Sequence, residues 1–86
     1  MPHVKIYTMR GCPYCTMAKS LLTRKGVRFE EVVAGRDPEV RAWLEEVTGQ
    51  DTVPQVFVDG RSLGGFSDID ALDRKGELDP ILRGET

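Results

Sequence analysis

Apolar and polar residues change their period several times along this chain, and each change marks an element. Val4-Lys5-Ile6-Tyr7-Thr8 alternates and is rich in strand formers, which predicts a half-buried strand. Gly11 and Pro13 break it. The spacing then becomes helical: Cys15, Ala18, Leu21 and Leu22 fall on one face, and Lys19, Arg24 and Lys25 on another. Pro13 suits the first turn of that helix and Gly26 its C-terminal cap. Val27 to Val33 reads as a second strand. Asp37-Pro38 pairs an N-cap with a proline at the first helical position. Behind it Val40, Trp43, Leu44 and Val47 keep helical spacing up to Gly49. Gln55 to Val58 predicts a third strand, Asp59-Gly60 a hairpin turn, and Ser62-Leu63 a short fourth strand. Ser67-Asp68-Ile69-Asp70 has the form of a capping box opening a last helix, which runs through Leu72 to Gly76. Ile81 and Leu82 are left to dock on the body.

The predicted order is strand–helix–strand–helix–strand–strand–helix. Its first unit implies a parallel pair with a right-handed crossover, and the hairpin implies an antiparallel pair beside it. An α/β fold with a mixed four-stranded sheet flanked by three helices is the simplest way to bury every apolar face. Helical spacing assigns Trp43 to the core, with Phe29 and Phe57. With 86 residues and no repeat or linker, residues 1–86 read as one domain.

Composition narrows the function classes. The chain is 40% hydrophobic and 30% charged, with both signs interspersed, as in an ordinary soluble domain. A net charge of −2 lacks the basic stripe of a general nucleic-acid binder. No apolar run is long enough to span a membrane. Met1 to Lys5 runs straight into a strand rather than forming a secretory leader, so the expected compartment is the cytoplasm. There, cysteines spaced as Cys12 and Cys15 are redox-active or metal-bound rather than structural.

Position separates those alternatives. Cys12 stands where the first helix begins, so unpaired backbone N–H groups and the helix dipole favour a thiolate there. Arg10 adds positive charge two residues earlier. Cys15 follows one turn later, where the two sulfurs can close a small disulfide, and it lies on the apolar face. Cys12 is therefore the expected nucleophile and Cys15 the resolving thiol. A structural zinc wants four ligands, and the remaining good one, His3, lies at the far end of the first strand, where it has no chemical role. No metal site is expected.

Three separated motifs extend this reading: Cys12-Pro13-Tyr14-Cys15, Thr52-Val53-Pro54, and Gly64-Gly65 followed by Ser67-Asp68. In this order they resemble the dithiol glutaredoxins, and the resemblance runs from Ile6 through the last helix. It implies a thioredoxin-like fold, glutathione as reducing co-substrate, and substrates that are protein disulfides or glutathionylated proteins. It also implies a cis Val53-Pro54 bond, where sequence alone favours trans. Such a turn exposes the Val53 backbone to an extended peptide such as glutathione. By the same resemblance Ser67 and Asp68 hold the γ-glutamyl end, and Arg41 meets the glycine carboxylate. Arg10, Tyr14, Thr52, Pro54 and Gly65 complete the implied glutathione site, and the expected assembly is a monomer.

The family alternatives are a redoxin recharged by thioredoxin reductase, which Phe66 after the two glycines brings to mind, and a dimer sharing an iron–sulfur cluster. Pro13 stiffens the loop and crowds such a cluster. One departure stands out. Glutaredoxins often carry lysine three residues before the first cysteine, and here that residue is Met9.

Overall fold

The computed structural model describes residues 2–35 and 37–84; Met1, Arg36, Glu85 and Thr86 lie outside them. The elements are β1 (Val4–Thr8), α1 (Pro13–Arg24), β2 (Phe29–Val33), α2 (Pro38–Thr48), β3 (Gln55–Val58), β4 (Arg61–Gly64), α3 (Phe66–Arg74) and α4 (Leu78–Leu82). The sheet order is β2-β1-β3-β4. β1 runs parallel to β2 and antiparallel to β3, and β3 and β4 form the antiparallel hairpin.

Strand alternation sends side chains to two different cores. On one face Val4, Ile6, Val56 and Val58 pack with Ala18, Leu21 and Leu22 of α1, Ile69 of α3, and Leu78, Ile81 and Leu82 of α4. On the other face Tyr7 and Phe57 meet Leu44 of α2, with Val32, Val40 and Val53 at the margin. This sandwich is the predicted α/β architecture. No helix among the described residues is long and apolar enough to cross a membrane.

The structure departs from the sequence reading in four places. Val27 and Arg28 precede β2 rather than joining it. The chain's end forms a fourth helix, because Leu78, Ile81 and Leu82 share one helical face and all three are buried. Trp43 is 43% exposed, so it is not a core residue. It rests on the rim of the α2 side, its ring 5.5 Å from Tyr7 and 5.8 Å from Phe57. Finally, α3 starts at Phe66 with Gly65 as its N-cap, not at a Ser67 capping box. Gly64 adopts φ +92°, and the two glycines turn the chain so tightly that the helix begins early.

At α2 the expected cap is present. The Asp37 carboxylate accepts the Glu39 N–H at 3.0 Å and the Val40 N–H at 3.4 Å. Asp37→Ala should cost about 1 kcal/mol, read as a lower urea midpoint with unchanged slope.

Candidate active site

Between β1 and α1 the chain turns through Gly11, and Cys12 becomes the N-cap of α1. Pro13 occupies the first helical turn, where its missing N–H costs nothing. The Cys15 N–H donates to Cys12 Sγ at 3.2 Å, so the sulfur takes the place that a serine or aspartate oxygen fills at other helix starts. Cys12 is half-buried, while Cys15 is 2% exposed; both are free thiols. The inequality expected from their spacing is therefore physical.

Burial pushes the Cys15 thiol up from the ordinary 9.0 to about 11, with a hydrogen bond and charge from Cys12 acting in the same direction. The Met9 N–H and the Lys19 ammonium oppose the rise. Since the folded state holds this proton more tightly, the resulting stability is fully present below about pH 9. It is lost as the pH rises toward about 11. Urea midpoints of the reduced parent and of Cys15→Ser, compared between pH 8 and pH 11, check it: the parent should lose more stability than the variant.

Opposite Cys12 stands the segment before β3. The Val53–Pro54 bond is cis, as the family resemblance implied. The Val53 carbonyl oxygen lies 3.9 Å from Cys12 Sγ. Two side chains hold this segment from behind. Arg41 donates from Nε to the Asp51 carbonyl at 2.9 Å, from Nη2 to the same oxygen, and from Nη1 to the Gly35 carbonyl at 3.0 Å. The fully buried Gln55 donates from Nε2 to Gln50 Oε1 and to the Thr52 carbonyl, both at 3.0 Å.

The β4–α3 turn forms the third wall. A side chain at Gly65 would put its Cβ 3.2 Å from the Pro54 carbonyl oxygen, so glycine there lets the turn close on the proline. Asp68 reaches back and accepts the Gly65 N–H at 2.9 Å. Gly65 has no side chain with which to cap α3, so the first N–H groups of that helix are left without a side-chain acceptor. Together these elements enclose an open groove of about 460 Å³, lined by Tyr14, Gln50, Thr52, Val53, Pro54, Gly65, Phe66, Ser67 and Asp68.

Seven of the residues implied by the resemblance thus line one groove: Tyr14, Thr52, Val53, Pro54, Gly65, Ser67 and Asp68. Arg41 sits behind it, bonded to carbonyls, and Arg10 is exposed and outside the lining. Gln50 and Phe66 are lining residues that the sequence reading did not assign. Phe66 follows the glycine pair and its ring lies 6.4 Å from that of Tyr14, a contact across two elements with no local signature. His3 pairs with Glu30 at 3.1 Å, far from the thiols in the fold as in the sequence. Among the described residues no group of three or more His, Cys, Asp or Glu side chains gathers around one point.

Comparison with known proteins agrees with this geometry. The glutaredoxin family model matches residues 4–63. A glutaredoxin of Pseudomonas aeruginosa is 49% identical over 95% of this chain and 98% of its own length. Glutaredoxin 3 of Escherichia coli is 45% identical over 96% of this chain and all of its own. Among solved structures, the buckwheat glutaredoxin–glutathione complex superposes with a TM-score of 0.88 at 30% identity, covering 96% of this chain and 78% of that one. The Brucella melitensis glutaredoxin also superposes at 0.88, with 45% identity, covering 100% of this chain and 94% of that one. A dithiol whose outer sulfur caps a helix, a cis-proline segment beside it and near full-length likeness lead to one conclusion: the chain belongs to the glutaredoxin family and is a thiol–disulfide oxidoreductase of thioredoxin-like fold.

Proposed function

We propose that the protein uses glutathione to reduce protein–glutathione mixed disulfides and protein disulfides. The carrying observation is a groove lined by Val53 and the uncapped start of α3, with Cys12 Sγ 3.9 Å from the Val53 carbonyl oxygen beside it. An extended tripeptide can pair with the Val53 backbone as a short strand while its sulfur meets Cys12. Its γ-glutamyl carboxylate would reach the free N–H groups at Ser67 and Asp68. The Asp68 oxygen not bonded to Gly65 is available to its ammonium. Structural likeness to a glutaredoxin crystallised with glutathione supports the same reading.

In deglutathionylation, the Cys12 thiolate attacks the glutathione sulfur, and the substrate thiol leaves with the electron pair. A second glutathione thiolate attacks the glutathione sulfur of the Cys12 mixed disulfide. This releases oxidised glutathione and restores Cys12. With a protein disulfide, Cys12 forms a mixed disulfide with one substrate sulfur. Cys15 then attacks Cys12, closing an intramolecular disulfide and freeing the substrate thiol. Glutathione returns the pair to the dithiol. The protein is expected to act as a monomer in the cytoplasm.

The test is NADPH consumption on a small glutathione mixed disulfide, coupled through glutathione and glutathione reductase. Turnover that depends on added glutathione is expected. Turnover only when thioredoxin reductase replaces glutathione and its reductase would overturn the proposal.

A further inference from the structure

Behind the groove a buried carboxamide takes hold of an exposed one. Gln55, at the start of β3, is 0% exposed, and its Nε2 donates to Gln50 Oε1 and to the Thr52 carbonyl, both at 3.0 Å. Turning the Gln55 amide over would set its oxygen against those two acceptors, so the direction of donation is fixed. The Gln55 Oε1 has no partner among the described residues, so Gln50 and Thr52 alone set the orientation of this amide. The Gln50 backbone is held as well, its N–H donating to Thr48 Oγ1 at 3.0 Å. With Oε1 committed to Gln55, the two N–H groups of the Gln50 carboxamide have no acceptor among the described residues, and Gln50 lines the groove.

In the proposed pose glutathione has its γ-glutamyl end at α3 and its sulfur at Cys12. Its glycine must then continue the opposite way, past Thr52, which brings the terminal carboxylate toward Gln50. That carboxylate meets no cation. No lysine or arginine lines the groove, and Arg41 gives its Nε, Nη1 and Nη2 to the Asp51 and Gly35 carbonyls. The Thr52 hydroxyl makes no hydrogen bond among the described residues, so the Gln50 carboxamide is the held side-chain donor at this end.

We infer that Gln50, fixed by Gln55, is a specificity-determining residue: its carboxamide N–H receives the glycine carboxylate of glutathione, which the groove reads through a neutral donor instead of a cation. The inference rests on the glutathione reading. An amide N–H can serve an amide oxygen too, but its bond to a carboxylate is the stronger one, so the free acid is preferred by a modest factor.

The experiment is a single turnover without glutathione reductase. The reduced full chain is mixed by stopped flow with a fluorogenic peptide joined by a disulfide to glutathione, to glutathione glycinamide or to cysteine. The parent should open the glutathione probe about fivefold faster than the glycinamide probe. Gln50→Glu keeps an oxygen for Gln55 to bond and sets a carboxylate where the N–H groups were. It should slow the glutathione probe about tenfold and leave the glycinamide probe within about twofold, so the preference is lost. Gln50→Leu should open the two probes at equal rates. Equal slowing of both probes in Gln50→Glu, the mark of a merely structural role, would overturn the inference. So would a parent with no free-acid preference, or a free-acid preference that persists in both variants. Thermal melts establish that each variant is folded. If the parent opens the cysteine probe as fast as the glutathione probe, the glutathione reading falls and this inference with it. A preference for glutathione over cysteine, with the free-acid preference unmoved by either variant, removes this inference alone.

Discussion

Cys12→Ser should abolish both deglutathionylation and protein-disulfide reduction, a loss on the order of a thousandfold or more. A serine hydroxyl keeps the N-cap hydrogen bond that Cys12 Sγ makes with the Cys15 N–H, so the fold should survive. What disappears is the sulfur. A hydroxyl is a weak nucleophile at neutral pH and cannot form a mixed disulfide. Cys15→Ser should behave differently. It should retain deglutathionylation within a few-fold, because the proposed route for that reaction does not use Cys15, and lose most protein-disulfide reduction. Parallel assays on a glutathionylated peptide and on insulin separate the two activities. Loss of both in Cys15→Ser, with an unchanged melting curve, would refute this division of labour between the sulfurs.

Leu44→Ala should be the most damaging single truncation on the α2 side, at about 3 kcal/mol. A domain of this size has roughly 4–13 kcal/mol in total. Leu44 is the buried residue of α2 and the point at which that helix grips Tyr7 and Phe57. Val47 on the same helix is 45% exposed, and Val47→Ala should stay within about 0.5 kcal/mol. The larger loss should also reach the site, since α2 carries Arg41, which holds the Asp51 carbonyl two residues before Val53. Urea titration reads the stability. A rise in KM for the mixed-disulfide substrate reads the loosened wall of the groove.

Element order was legible because almost every element carries its own local signal: alternation in Val4–Thr8, the Asp37-Pro38 start, the Asp59-Gly60 turn. The start of α3 was not. Ser67 and Asp70 mimic a capping box, while the true cap is a glycine with no side chain, recognisable only from the turn that Gly64 makes. Trp43 was misplaced for a different reason. Helical spacing shows which side of α2 faces the sheet but not how far the sheet extends beneath it. One helix covers that face, so the largest side chain ends at its rim. The N-cap position of Cys12 and the burial of Cys15 followed from a helix start and an apolar face, both local. The carbonyl contacts of Arg41 and the bond between Lys19 and Glu31 depend on how distant loops and strands meet, which no window of sequence records.

The strand order has a further consequence for life in a crowded solution. β2 is an outermost strand, and its free backbone groups are a template on which another chain could grow a sheet. Glu30 and Glu31 stand on it, one answering His3 and the other Lys19, so an incoming strand would have to dehydrate two carboxylates and break their pairs. β4, at the opposite margin, spans four residues and starts with an exposed arginine. A protein that opens the disulfides of other chains, as proposed here, would meet polypeptides with loosened structure. Its charged flanks discourage them from adhering edge to edge, so traffic is steered to the one end where sulfur is presented.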